Sequence, residues 1–382
     1  MTAAATSRVG WVVLAVGLPA LLVAAVADPA GAGGAAQQDW TPFVLVTGLL
    51  LVGLVAQDDG LFDAAGSVMA RWAPGPWSLF AAAAVLVAVV TAVLNLDTAV
   101  TFCTPVLLVA ARRRTVDDLP FLYLAVFLAN GASLLLPGSN LTNLIVLGHR
   151  HLSGGAFAAT MLPAWIAASV TVPVVVAVAF RKRLRDGRPT GEGRAPVLRP
   201  RVGVGLAGVV VAVVAAVTLR AAAMALVVLV VGLVAAGWRT IRGQLPAPAV
   251  GRTVDLPVLA GLFGLAVALG TLGRAWSGPQ WLLAHAASWE QAAIGAVASV
   301  LVNNLPAASL LAARTPPDPQ ALLIGLDLGP NLAVTGALSV VLWLQAARPL
   351  GATPSARRYS TLGLAVVPVS MAAALGALAL FR

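Results

Sequence analysis

Apolar runs of spanning length recur along this chain, and they constrain its fold more than any other feature. They lie at about 9–27, 41–56, 158–180, 202–219, 221–238, 255–273 and 360–380. A helix needs ~20 apolar residues to cross the hydrocarbon of a bilayer. The 382 residues are 60% hydrophobic and 10% charged, whereas soluble domains carry about 25% charged residues. Inside lipid every backbone polar group must be satisfied within the chain, so helices are the expected element. The sequence predicts an all-α polytopic membrane protein whose first partner is the lipid bilayer. The first run ends in Ala25-Val26-Ala27, a pattern a signal peptidase reads, but the many spans that follow favour an ordinary first transmembrane helix.

Four regions are too long or too interrupted for a simple span. Residues 78–111 are two apolar arms joined at "LNLDT", and 289–313 are two arms joined at "VNNLP". Residues 119–148 are one crossing broken by "ANGASLLLPGSNLTN", and 320–346 one broken by "LDLGPNLAVTG". The segment 181–201 is basic and rich in Gly and Pro, and it is the long polar linker of the chain. It divides a membrane half at 1–180 from a membrane half at 202–382, and each half holds one hairpin and one broken crossing.

The formal charge of +10 follows the loops, so it reads as an orientation signal and not as a nucleic-acid footprint. Arg8, Arg71, Arg112–Arg114, the linker, Arg239, Arg242, Arg252, Arg348, Arg357 and Arg358 fall on one side if the first hairpin enters and leaves on the cytoplasmic face. The second hairpin then enters and leaves on the outer face. Aligning Gly131 with Gly329 sets Ser133 over Asn331 and Gly138 over Gly336. Two similar halves of opposite topology, each with an interrupted helix, predict inverted repeats with re-entrant hairpins, discontinuous transmembrane helices and a site at the midplane.

Polar residues at a helix break line something or cap something. A break frees backbone N–H and C=O groups, which are tolerated only against protein or a water-filled cavity. Asn, Ser and Thr cap such ends and offer hydrogen bonds to a ligand. The expected substrate-binding set is Asn95, Thr98, Asn130, Ser133, Ser139, Asn140, Asn143, Asn303, Asn304, Asn331 and Thr335, with Thr142 and Ser339 beside them. The bland alternative is polar glue between helices. Asp97 and Asp327 are the acids deepest in apolar sequence, and an intramembrane acid reads as functional. Both are expected to couple transport to protons, with helix capping as the alternative.

Other chemistry is poorly supported. No cofactor and no metal site are expected. His149 and His151 read as an outer-rim loop, and Glu290 and His285 as interfacial. Cys103 is the one cysteine and reads as a small buried hydrophobe or at most a helper ligand. The one lysine, Lys182, has no Gly-rich turn before it, so ATP hydrolysis by a P-loop is ruled out. No His-Glu-x-x-His or Gly-x-Ser-x-Gly pattern points to an intramembrane enzyme.

The interrupted segments resemble those of a known family. "VNNLPAASLLAA" followed by "LDLGPNLAVTGALSVVLWLQ" resembles the second-half signature of the ArsB-type arsenite efflux permeases, within the wider ion transporter superfamily. "LDTAVTFCTPVLLVA" and "FLANGASLLLPGSNLTNLIVLG" resemble the first-half pair. The resemblance implies proton-driven export of arsenite or antimonite, a small inorganic substrate, across a bacterial inner membrane. It also implies a cytosolic ATPase subunit that helps some members, and a homodimer. Another solute on the same fold is the alternative: a dicarboxylate, another oxyanion, or Na⁺ in exchange for H⁺. Three positions depart from the family pattern. Leu96 separates Asn95 from Asp97, Gly131 stands where Thr is common, and Ala337 stands where Ser is usual.

Overall fold

The computed structural model describes residues 4–73, 75–148, 153–186 and 203–381. Among these residues the regular structure is helical throughout. Every predicted span forms a helix: Ala4–Ala27, Pro29–Asp58, Gly154–Ala179, Val204–Thr218, Ala221–Ile241, Leu256–Ala275 and Ala356–Leu380. Seven helices among the described residues are long and apolar enough to cross a membrane, a set that leaves out the shorter Val204–Thr218 and takes in Pro76–Val93, so the chain is a multi-pass membrane protein. Of the linker expected at 181–201, Arg181–Asp186 continues as a short helix and the remainder lies outside the described residues, as do His149 and His151.

One boundary differs from expectation. The second span begins at Pro29, well before 41. Asp28 caps it, accepting a hydrogen bond from the Gly31 N–H at 2.9 Å, and Pro29 takes the first helical position, where a missing N–H costs nothing. The stretch "AGAGGAAQQDW" is too small and too polar to read as apolar, yet it is helical. Asp39 is thereby placed inside a spanning helix.

Both expected hairpins form. The arms of the first are Pro76–Val93 and Leu96–Arg113, and those of the second are Ser288–Val302 and Asn304–Leu311. Both broken crossings form as well. Leu119–Gly131 gives way to short 3-10 turns at Ala132–Leu134 and Pro137–Ser139 before Leu141–Leu147 resumes. Pro319–Leu328 gives way to a 3-10 turn at Gly329–Leu332 before Leu338–Ala347 resumes.

The two halves interlock. Ala4–Ala27 packs along Leu256–Ala275, Pro29–Asp58 along Ala221–Ile241, and Gly154–Ala179 along Ala356–Leu380. Small residues allow these backbones to meet, which is how helices associate in lipid without a hydrophobic driving force. A methyl group on Gly17 would sit 1.9 Å from the Gly261 carbonyl oxygen. At one end of the second span Arg239 pairs with Asp58 at 3.3 Å and with Asp59, and Asp59 also accepts from the Gly205 N–H at 2.8 Å. That cluster ties three helices from both halves.

Candidate functional site

Each hairpin tip is the start of a helix. Asn95 is extended, and its Oδ1 accepts from the Thr98 N–H at 2.7 Å. Asn303 caps the second arm through the Leu305 N–H at 3.3 Å and donates from Nδ2 to the Thr335 carbonyl at 3.3 Å. The Asn304 N–H donates to the Gly336 carbonyl at 2.8 Å. The second tip is therefore tied to the break beside it. Asn303 has φ 77° and ψ 149°, a left-handed backbone that costs a side-chain-bearing residue on the order of 1–3 kcal/mol.

The two tips and the two breaks converge on one small cavity. It is lined by Asp97 and Leu96 of the first tip, Asn304 and Leu305 of the second, Asn140 and Leu141 of the first break, and Ala337, Leu338 and Ser339 of the second. Its volume is about 10 Å³, room for roughly one water. Asp97 Oδ1 and Asn304 Oδ1 are buried with no hydrogen-bond partner. Unpaired buried polar atoms cost free energy, and two on residues that line one cavity mark where a ligand would pair them. The wall has no basic residue.

Most of the other expected residues are nearby and already engaged, although Asn95 Nδ2 and Asn143 Oδ1 are buried without a partner. Asn130 donates from Nδ2 to Asn331 Oδ1 at 2.8 Å, and Asn331 donates from Nδ2 to the Phe127 carbonyl at 3.1 Å. Ser339 Oγ reaches Asn130 Oδ1 at 3.4 Å. Asp327 accepts from Asn140 Nδ2 at 2.9 Å, from Ser133 Oγ at 3.3 Å and from Thr142 Oγ1. These bonds staple the two broken crossings to each other. Ser139 Oγ donates to the Ala92 carbonyl at 3.2 Å, and Asn143 Nδ2 donates to the Ser133 and Leu136 carbonyls at 2.9 and 3.1 Å. Thr335 is exposed, and its Oγ1 donates to the Val300 carbonyl. Thr98 is buried with its hydroxyl unpaired, and its methyl lies where a side chain on Gly53 of the second span would fall.

The freed carbonyls at the breaks find donors, as a membrane interior demands. The indole of Trp165 donates to the Ala132 carbonyl at 2.9 Å, and the Tyr359 hydroxyl donates to the Pro330 carbonyl at 3.1 Å. Sequence reasoning passed over both residues. Tyr359 had a signal to offer, since the chain has only two tyrosines. It also passed over Asp39, which stood outside the expected span.

The family departures separate here. Leu96 and Ala337 stand on the cavity wall. Gly131 does not: a methyl there would meet Val172 Cγ2 at 3.0 Å. Cys103 is fully buried in the apolar core and is not among the cavity residues. Among the described residues, no cluster of three His, Cys, Asp or Glu side chains could hold a metal ion.

A multi-pass chain that breaks four membrane segments and turns the breaks onto one polar cavity is a membrane transporter. This chain belongs to the CitMHS citrate transporter family, whose model matches residues 2–327. It is also similar to curated arsenical pump membrane proteins. One from Escherichia coli is 30% identical over 157 residues, covering 40% of this chain and 36% of that protein. The one from strain K12 is 31% identical over 147 residues, covering 37% and 34%. The matched stretch thus spans about a third of the length of these relatives. The fold is similar to that of the Alcanivorax borkumensis YdaH transporter, whose crystal structure is described as an unusual topology. The TM-score is 0.52 at 16% identity, covering 88% of this chain and 84% of that one.

Proposed function

We propose that this transporter exports arsenite or antimonite across the bacterial inner membrane in exchange for protons. The observation that carries the reading is the chemistry of the cavity wall: one carboxyl, two primary amides, one hydroxyl and no cation. Arsenite at neutral pH is largely an uncharged trihydroxide. Its hydroxyls can donate to Asp97, to the Asn304 carbonyl oxygen and to Ser339 Oγ, whose own proton is directed to Asn130 Oδ1. Citrate, as a trianion, would bring three carboxylates to a wall that holds no cation. The resemblance of part of the chain to arsenical pump proteins supports the same substrate class.

The two acids take different roles in this reading. Asp327 is saturated with donors and holds the two breaks together. Asp97 has an unpaired oxygen at the cavity. Asp97 takes up a proton as solute leaves and gives it up as solute binds. The cavity is too small for the trihydroxide, so the site must open to one side and then to the other. The opposite orientation of the two hairpins, argued from the basic loops, supplies a gate for each side.

Ligand-dependent thermal unfolding of the purified chain tests this. A ligand that binds only the folded state stabilises it by RT ln(1 + [L]/Kd). Arsenite is expected to raise the midpoint and citrate to leave it unchanged. Stabilisation by citrate alone would overturn the proposal in favour of a carboxylate substrate, and stabilisation by Na⁺ alone would favour cation exchange.

A further inference from the structure

A buried acid outside the central cavity has no role so far. Asp39 lies ten residues into the helix that starts at Pro29, about 15 Å along it at 1.5 Å per residue. It is fully buried, and neither carboxylate oxygen has a hydrogen-bond partner. Ser309, on the returning arm of the second hairpin, and Arg274 lie against the same stretch of this helix: a methyl on Gly270 would meet Ala35 Cβ at 3.0 Å, Arg274 Nη1 at 3.2 Å and Ser309 Cβ at 3.6 Å. The Ser309 hydroxyl is directed to the Leu305 carbonyl of its own helix at 3.2 Å.

Arg274 is a cation held by neutral groups. Its guanidinium donates to the Gly270 carbonyl at 2.9 Å, to the Gly34 carbonyl at 3.1 Å and to Gln38 Oε1. Gln38 in turn donates from Nε2 to the Ile145 and Ala312 carbonyls, both at 3.0 Å. One polar seam therefore joins the second span, the end of the first broken crossing and the end of the second hairpin. Pro42 sits one turn beyond Gln38 and has no N–H for the Gln38 carbonyl, so the helix is loosened at this level.

The surroundings narrow the chemistry. Of the helices packed on this span, 141–147 and 204–218 carry no ionisable side chain, and neither does the hairpin arm 304–311 that bears Ser309. Arg239 on 221–241 is engaged with Asp58 and Asp59 at the far end. Asp97 on 96–113 faces the central cavity. The ionisable residues of 61–72 and 247–254 belong to helices that meet the same far end of the span. On 4–27, Arg8 is two residues before Gly10, which packs against Asp255 and Pro257, and Arg112 and Arg113 stand in the last turn of 96–113, Arg112 paired with Asp118. Arg274, bound to the neighbouring Gln38, is the charge at the level of Asp39. A carboxylate with no donor in an apolar interior costs several kcal/mol unless it takes a proton or a cation.

We infer that Asp39 is a second proton-binding site of this transporter, separate from the central cavity. It is neutral while Arg274 is held by carbonyls, and ionised when Arg274 turns to pair with it. The proton passes between the Asp39 carboxyl and water at the Arg274 end of the helix. Because Gln38 and Arg274 belong to the seam that grips the second hairpin, the exchange of partners is coupled to movement of that hairpin. The inference rests on the transport reading above.

The test uses the full chain in phosphatidylethanolamine–phosphatidylglycerol vesicles. Infrared difference spectra at neutral pH are compared for wild type and Asp39→Asn, in H₂O and D₂O. The wild type is expected to show a protonated carboxyl C=O band that the variant lacks. The same vesicles are assayed for arsenite counterflow and for arsenite accumulation under an imposed proton gradient. Asp39→Asn is expected to keep counterflow and to lose accumulation down to the level seen without a gradient. An unchanged band or unchanged accumulation overturns the inference. A neutral isostere that merely preserved packing would leave accumulation intact. Should the chain move no arsenite at all, the infrared band alone decides. Should Asp39→Asn not fold, Asp39→Glu must displace the band, and an undisplaced band overturns the inference.

Discussion

At the scale of single residues, burial and partnering divide the polar set into two groups. Asp97 and Asn304 present unpaired oxygens at the cavity, whereas Asn130, Asn331, Ser133 and Asp327 spend their hydrogen bonds on one another. Asn304→Ala is expected to weaken arsenite binding about tenfold, ~1.4 kcal/mol, with little change in unfolding of the unliganded protein. Ligand titration by thermal shift measures both. Asp97→Asn is expected to retain binding and lose gradient-driven flux, and near-normal flux would remove that acid from the coupling. Cys103→Ala should leave most transport intact, because the thiol is packed in the apolar core and is not among the cavity residues. Complete loss of transport would bring a thiol ligand back into the mechanism.

At the scale of elements, the broken crossings act as a stapled pair. Asp327→Ala leaves the buried Thr142 hydroxyl without its acceptor, while Asn140 keeps Ser133 Oγ and Ser133 keeps the Asn130 carbonyl, at a cost of about 1–3 kcal/mol. A lowered unfolding midpoint is expected, and Asp327→Asn should recover part of it because an amide oxygen still accepts. Interruptions are the part of this fold most legible in sequence. Gly, Pro and Asn inside apolar runs marked all four breaks, because lipid tolerates freed backbone only where something satisfies it. The identity of the satisfying groups was not legible. Trp165 and Tyr359 reach the breaks from other helices, and a linear pattern carries no information about which helices meet. The start of the second span was hidden for a different reason. Its first turns are built of Ala and Gly, which pack closely but do not score as apolar, and Asp39 went unread with them.

At the scale of the whole molecule, the halves are bound by helix pairs that cross between them. The helix pairs that hold the halves together all lie outside the linker. Residues 1–186 and 203–382 expressed as separate chains are therefore expected to copurify and to retain ligand binding, and neither should be stable alone. Recovery of either half as a folded species by itself would mean that the interlocked packing is dispensable. The central claim is that the convergence of tips and breaks forms a proton-coupled route for a small uncharged oxyacid. Inside-out vesicles from cells expressing the chain test it most directly, with arsenite uptake followed in the presence and absence of an imposed proton gradient. Gradient-dependent accumulation, abolished by Asp97→Asn, is the predicted result. Absence of arsenite uptake from vesicles that accumulate citrate or exchange Na⁺ for H⁺ would contradict the account and assign the cavity to another solute.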